Sequence, residues 1–194
     1  MIKDLEKRAD FWSQNRSVEQ MSDSLVCPFE EHLDDFKDKH VLEIGPGGGR
    51  QFGIVYPLAV SYVVADISDD VLSDPLYRNI VRFNIVDYKY TTLPKSFDVV
   101  HFWYVLHHVQ KEELNDFFGF VSRHLVEGGI ALFNTAPLDY PEGGHRSDGI
   151  LTTKFTPDMV RKALKKNGFS SWFETEINEK SIGIVFRAVK GDNL

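Results

Sequence analysis

The chain has 194 residues, enough for one domain with a substantial core, and its 42% hydrophobic and 26% charged content belongs to a globular protein, not a disordered one. With 22 Lys and Arg against 29 Asp and Glu the net charge is −7, which opposes nucleic-acid binding; the densest basic cluster, Arg161, Lys162, Lys165 and Lys166, has the helical spacing of a solvated face. Cys27 is the only cysteine, which excludes an intrachain disulfide or a cysteine-built metal cage, and neither a signal peptide nor an apolar run of roughly 18 residues is present, so a cytoplasmic location is expected.

In chain order, residues 3–36 read as two or three helices, with Leu5, Phe11, Trp12, Met21, Leu25, Val26, Phe29, Leu33 and Phe36 as the apolar positions. They form a helical cap over residues 1–38, ahead of a core spanning 39–190, in a single domain covering 1–194. Short apolar strands follow at His40–Ile44, Ser61–Ala65, Asn79–Ile85 and Phe97–Tyr104. Residues 111–125 have helical spacing in Leu114, Phe117, Phe118, Val121 and Leu125, stopped by Gly128-Gly129, and Ile130–Thr135 is a fifth strand. Thr156 caps a helix with Pro157 at its first position, running to Asn167-Gly168. Two strands at about 169–177 and 181–189, joined by a tight turn, must be antiparallel to each other. Strands alternating with helices predict an α/β fold with a mostly parallel sheet.

In such a sheet the ligand lies beyond the carboxyl ends of the strands. The loop after the first strand, Glu43-Ile44-Gly45-Pro46-Gly47-Gly48-Gly49-Arg50, is the candidate. A dinucleotide loop needs a third glycine where Arg50 stands, and Pro46 removes an N–H donor that a pyrophosphate would use. Glu43 instead suits a positively charged ligand. S-adenosylmethionine is one, and its ribose diol needs an acceptor such as Asp66, which lies 21 residues past Gly45 at the end of the second strand. Ile67 can pack against adenine, while Asp87 and Tyr88 offer its amino group an acceptor and its ring an aromatic face.

These segments resemble those of class I, Rossmann-like S-adenosylmethionine-dependent methyltransferases of the small-molecule branch. Val41–Arg50 is similar to the first motif, Val64-Ala65-Asp66-Ile67-Ser68 to the second and Phe83–Tyr88 to the third. Phe97–Val109 resembles the fourth-strand motif, Leu125–Leu132 the run into the fifth strand, and Lys154–Asp158 with Asn167-Gly168-Phe169 the last helix and its exit. The resemblance implies a three-layer sandwich around a seven-stranded sheet in the order 3-2-1-4-5-7-6, with strand 7 antiparallel. One departure stands out: only about a dozen residues, interrupted by Pro75, separate Asp66 from the third strand, so the helix there must be short.

The resemblance also implies a cofactor, S-adenosylmethionine, converted to S-adenosylhomocysteine, and no metal. The cofactor residues are then Glu43, Gly45, Gly47, Asp66, Ile67, Asp87, Tyr88 and Phe102. His108 and His101 are candidate general bases, since histidine titrates near neutrality, or else structural side chains. Phe102 and Trp103 line a pocket beside the methyl group or pack in the core. His145 and Arg146 lie in the long polar segment 137–153, where long loops often carry function, and Trp12 is a lid residue or packs on the core. The expected partner is a small-molecule methyl acceptor, oxygen first and nitrogen second, with no nucleic acid or membrane; a homodimer is allowed for. Two rival readings remain: a silent cofactor-binding scaffold, and a nicotinamide-dependent oxidoreductase.

Overall fold

The computed structural model describes residues 29–94, 96–135, 153–177 and 183–191. The N-terminal helices expected before residue 29, the loop expected at 137–152 and the turn near 178–180 therefore lie outside the described residues. The chain divides into two compact units, Met1–Asp87 and Tyr88–Leu194.

In the first unit, β1 (His40–Ile44), β2 (Ser61–Asp66) and β3 (Val81–Asn84) pair in parallel. Val41, Leu42, Ile44 and Tyr62 to Ala65 are all buried, the near-continuous apolar pattern of parallel strands covered on both faces. Glu43 breaks that run. Helix α1 (Arg50–Val55) follows β1 and buries Phe52 and Val55. The link from β2 to β3 is as short as its length and Pro75 require: α2 (Asp69–Leu72) is a single turn, followed by a 3-10 turn at Pro75–Tyr77. Ser68 caps α2 by accepting the Val71 N–H, and Asp74 accepts the Leu76 N–H.

In the second unit, β4 (Phe97–Phe102) runs parallel to β5 (Leu125–Asn134), with α3 (Leu114–His124) between them in sequence. Helix α4 (Pro157–Lys166) leads to β6 (Phe169–Ile177), and β7 (Gly183–Lys190) is antiparallel to both β5 and β6. The sheet order is β3-β2-β1-β4-β5-β7-β6, as the sequence implied. Strand register builds the core of this unit. Phe102 is paired with Phe133, and Phe133 with Phe186, so three neighbouring strands bring their rings face to face at 4.7 and 5.2 Å. Phe117 and Phe118 of α3 meet Phe102 at steep angles, 89° and 61°.

One expectation needs correction. Gly128-Gly129 do not stop the preceding helix, which ends at His124 and passes directly into β5. The glycines lie in an irregularity of β5: Phe97 pairs with Leu125, but Val99 pairs with Ile130. A Cβ at Gly129 would lie 2.8 Å from the Val126 carbonyl oxygen and 3.1 Å from that of Asp98, so a side chain is barred there by backbone. The α4 boundaries follow the predicted cap, with Thr156 accepting the Met159 N–H. Arg161 on that helix is held by Glu174 at 2.7 and 2.6 Å and by Asp158 at 2.7 Å, which offsets part of the basic cluster.

Candidate active site

The first unit holds the glycine loop and both predicted acids. The Gly45 N–H donates to the Ala65 carbonyl at 2.8 Å, carrying the β1–β2 ladder one residue past β1. Gly45, Gly47 and Gly49 have φ of +68°, +51° and +81°, a left-handed series that side chains would strain. Gly47 is exposed, and nothing lies within 4 Å of where its Cβ would be, so the outer face of the loop is open. Arg50 begins α1, at the place a dinucleotide loop keeps for glycine.

Glu43 is 2% exposed, and the Tyr62 hydroxyl donates to its Oε2 at 2.8 Å. Burial pushes the carboxyl up to about 8; the Tyr62 bond draws it back, and the charge of Asp66 raises it further. Asp66 ends β2 at 8% exposure and accepts the Ser68 N–H on Oδ1 at 2.9 Å. Burial pushes it up to about 6 against the pull of the Ser68 and Ile67 N–H groups. Two desolvated acids thus stand at the ends of adjacent strands, a setting that a cation or a pair of hydroxyl donors relieves. Ile67 is half-buried next to Asp66, and Asp87 is exposed at the end of the unit.

The second unit holds the remaining described candidates, and three of them need correction. Tyr88 is buried with its ring edge-on to Phe117 at 5.7 Å and near Phe120 at 6.2 Å, so its aromatic face is engaged by α3. Phe102 is fully buried in the phenylalanine stack, so its ring belongs to the core. His101 is likewise fully buried; its Nδ1 accepts the Trp103 indole N–H at 3.1 Å, and burial pushes its pKa down to about 3. Fully buried and bonded to Trp103, His101 fits the structural side chain that was the other expectation for it. Trp103 is itself buried.

Beyond Trp103 the chain turns sharply. Tyr104 has φ of +58°, and its N–H donates to Oδ1 of the buried Asn134 at 2.8 Å. A 3-10 turn at Leu106–His108 follows, where the rings of His107 and His108 lie 3.9 Å apart. His107 is buried and its carbonyl accepts the Thr153 N–H; His108 is half-buried. Trp12, His145 and Arg146 lie outside the described residues. Among the described residues no group of three or more His, Cys, Asp or Glu is arranged for a metal ion, and no helix is long and apolar enough to cross a membrane.

Sequence reasoning missed Tyr62, Tyr77 and Asn134. Tyr62 had a usable signal: it pairs with Val41, so the two-residue strand period places it on the same sheet face as Glu43. Tyr77 and Asn134 had no local one, because each acts on a backbone 30 residues away.

A family model described as a methyltransferase domain matches residues 12–172. The chain belongs to this methyltransferase family. No curated protein matches it. Among solved structures, DhpI in complex with S-adenosylhomocysteine is 16% identical with a TM-score of 0.71, covering 98% of each chain. Magnesium protoporphyrin IX methyltransferase from Synechocystis PCC 6803, with S-adenosylmethionine bound, is 16% identical at a TM-score of 0.69, over 97% of each chain. The 1,6-didemethyltoxoflavin-N1-methyltransferase of Burkholderia thailandensis is 14% identical at 0.70, over 97% of this chain and 87% of that one. At these identities the likeness to the solved structures is one of fold.

Proposed function

We propose that this methyltransferase uses S-adenosylmethionine to methylate an oxygen or nitrogen of a small-molecule acceptor. The observation that carries the reading is the pair of buried acids, Glu43 and Asp66, beside a proline-containing glycine turn. A pyrophosphate would meet the charge of Asp66, would hold Glu43 protonated and would lack one N–H donor there, whereas a cationic adenosyl ligand suits both acids as carboxylates. When bound, S-adenosylmethionine supplies a methyl group activated by its sulfonium. In this reading Asp66 accepts the ribose hydroxyls, Glu43 faces the positive charge, Ile67 packs on the adenine and Asp87 accepts its amino group. His108, half-buried and within a residue of His107, takes the acceptor's proton. The chain otherwise contributes position and exclusion of water.

The solved neighbours whose titles name a porphyrin or a toxoflavin precursor support a small-molecule acceptor. The net charge of −7 and the ion-paired Arg161 support a partner other than nucleic acid. A cytoplasmic location accords with both.

Calorimetry with four ligands tests the reading. S-adenosylmethionine and S-adenosylhomocysteine bind, NAD and ATP do not, and Asp66→Ala weakens the two adenosyl ligands by about 1.5–3 kcal/mol through loss of a charged acceptor. Heat from NAD or ATP with none from either adenosyl ligand overturns it, and heat from NAD restores the oxidoreductase reading.

A further inference from the structure

Tyr77 lies in the short link between β2 and β3 and is fully buried. Its hydroxyl points across to the glycine loop, donating to the Gly47 carbonyl at 3.0 Å and reaching the Pro46 carbonyl at 3.3 Å. A phenol has one proton, so the two carbonyls share it in a three-centre arrangement. The ring is fixed from the side by Phe52 of α1, edge-on at 5.4 Å and 84°. The turn is fixed from below by Arg82, which donates to the carbonyls of Leu72 and Tyr77 at 3.0 and 3.4 Å. The same turn limits the loop at Gly49, where a Cβ would run into the Leu76 side chain and lie 3.2 Å from the Tyr77 hydroxyl.

A trans peptide is planar, with its C=O and N–H on opposite sides. With the Gly47 carbonyl drawn toward Tyr77, and the Pro46 carbonyl held both by Tyr77 and by the Gly49 N–H at 2.9 Å, the N–H groups of Gly47 and Gly48 are turned away from Tyr77. We infer that Tyr77 is a positioning residue for the cofactor loop: its hydroxyl orients two peptide planes so that the Gly47 and Gly48 N–H groups receive the amino-acid end of the ligand. The inference rests on the cofactor reading above and adds a division of labour to it. The carboxylate of the methionyl moiety takes the two donors, and its ammonium takes the acid at Glu43. The adenosine half depends on Asp66, which Ser68 holds without help from Tyr77.

The division makes the test selective. The full chain and Tyr77→Phe, which keeps the ring against Phe52, are titrated with S-adenosylhomocysteine and with 5′-methylthioadenosine, which lacks the amino-acid end. The variant binds S-adenosylhomocysteine about tenfold more weakly, the worth of one hydrogen bond, while the affinity for 5′-methylthioadenosine changes by about twofold or less. Circular dichroism and thermal melting record that the fold is retained. In the wild type, without any substitution, amide exchange at Gly47 and Gly48 slows with S-adenosylhomocysteine and not with 5′-methylthioadenosine. Equal losses for both ligands, no loss for S-adenosylhomocysteine, or unchanged exchange at the two amides overturns the role of Tyr77. A wild type that binds neither ligand overturns the cofactor reading itself, which is a different result from a wild type that binds normally beside an unaffected variant.

Discussion

Glu43 faces two requirements that cannot both be met in the ligand-free chain. In the proposed reading it meets a cation as a carboxylate, yet its burial favours the protonated acid, with a pKa of about 8. Binding a cation therefore expels a proton near neutral pH. Calorimetry at pH 7 in buffers of different ionisation enthalpy should show net proton release on binding S-adenosylmethionine, and Glu43→Gln should abolish it. Release that persists in the variant would assign the proton to another group. The same shifts bear on stability. Both acids titrate above their unfolded values of 4.5 and 3.8, so folding favours their protonated forms. Their contribution is whole below those values and is lost as pH climbs through about 6 for Asp66 and about 8 for Glu43. The ligand-free chain should melt at lower temperature at pH 8.5 than at pH 5.5 through these two groups, and Glu43→Gln should flatten that slope.

At the scale of the elements, the α4 start is a self-contained signal. Thr156 accepts the Met159 N–H and Pro157 occupies the first helical position, so Thr156→Ala should cost about 1 kcal/mol in chemical denaturation. That signal was legible because cap, proline and apolar spacing lie within a few residues. The position of Asp66 at the end of β2 was legible for a similar reason, its distance from Gly45 being set by one strand–helix–strand unit. Gly128-Gly129 misled because the same pair serves to end a helix or to admit a close backbone, and only the Asp98 and Val126 carbonyls decide between them. His101 and Phe102 misled because strand alternation says which residues share a face and not whether that face meets a ligand or a packed helix. Tyr77 was invisible because its hydroxyl acts across 30 and 31 residues, and the shortened link that delivers it reads in the sequence only as something missing.

For the whole molecule, the strand order was legible through the ordered run of motifs, which no single glycine pattern would have supplied. That order has β7 seated between β5 and β6, pairing with both and presenting Phe186 to Phe133. A chain ended at residue 182 would leave β6 without its neighbour and Phe133 without one ring of its stack, a loss of several kcal/mol by analogy with buried aromatic deletions, about 3–5 for the ring alone. Such a chain should lack the near-ultraviolet dichroism of packed aromatic rings; a truncated protein that still unfolds cooperatively would refute this. The consequence reaches back to synthesis. β7 follows β6 in the chain yet takes the seat between β5 and β6, so the unit cannot be finished strand by strand in the order of synthesis. Until β7 is made and inserted, β5 and β6 keep unpaired edges, and that waiting period is when a chaperone would find them.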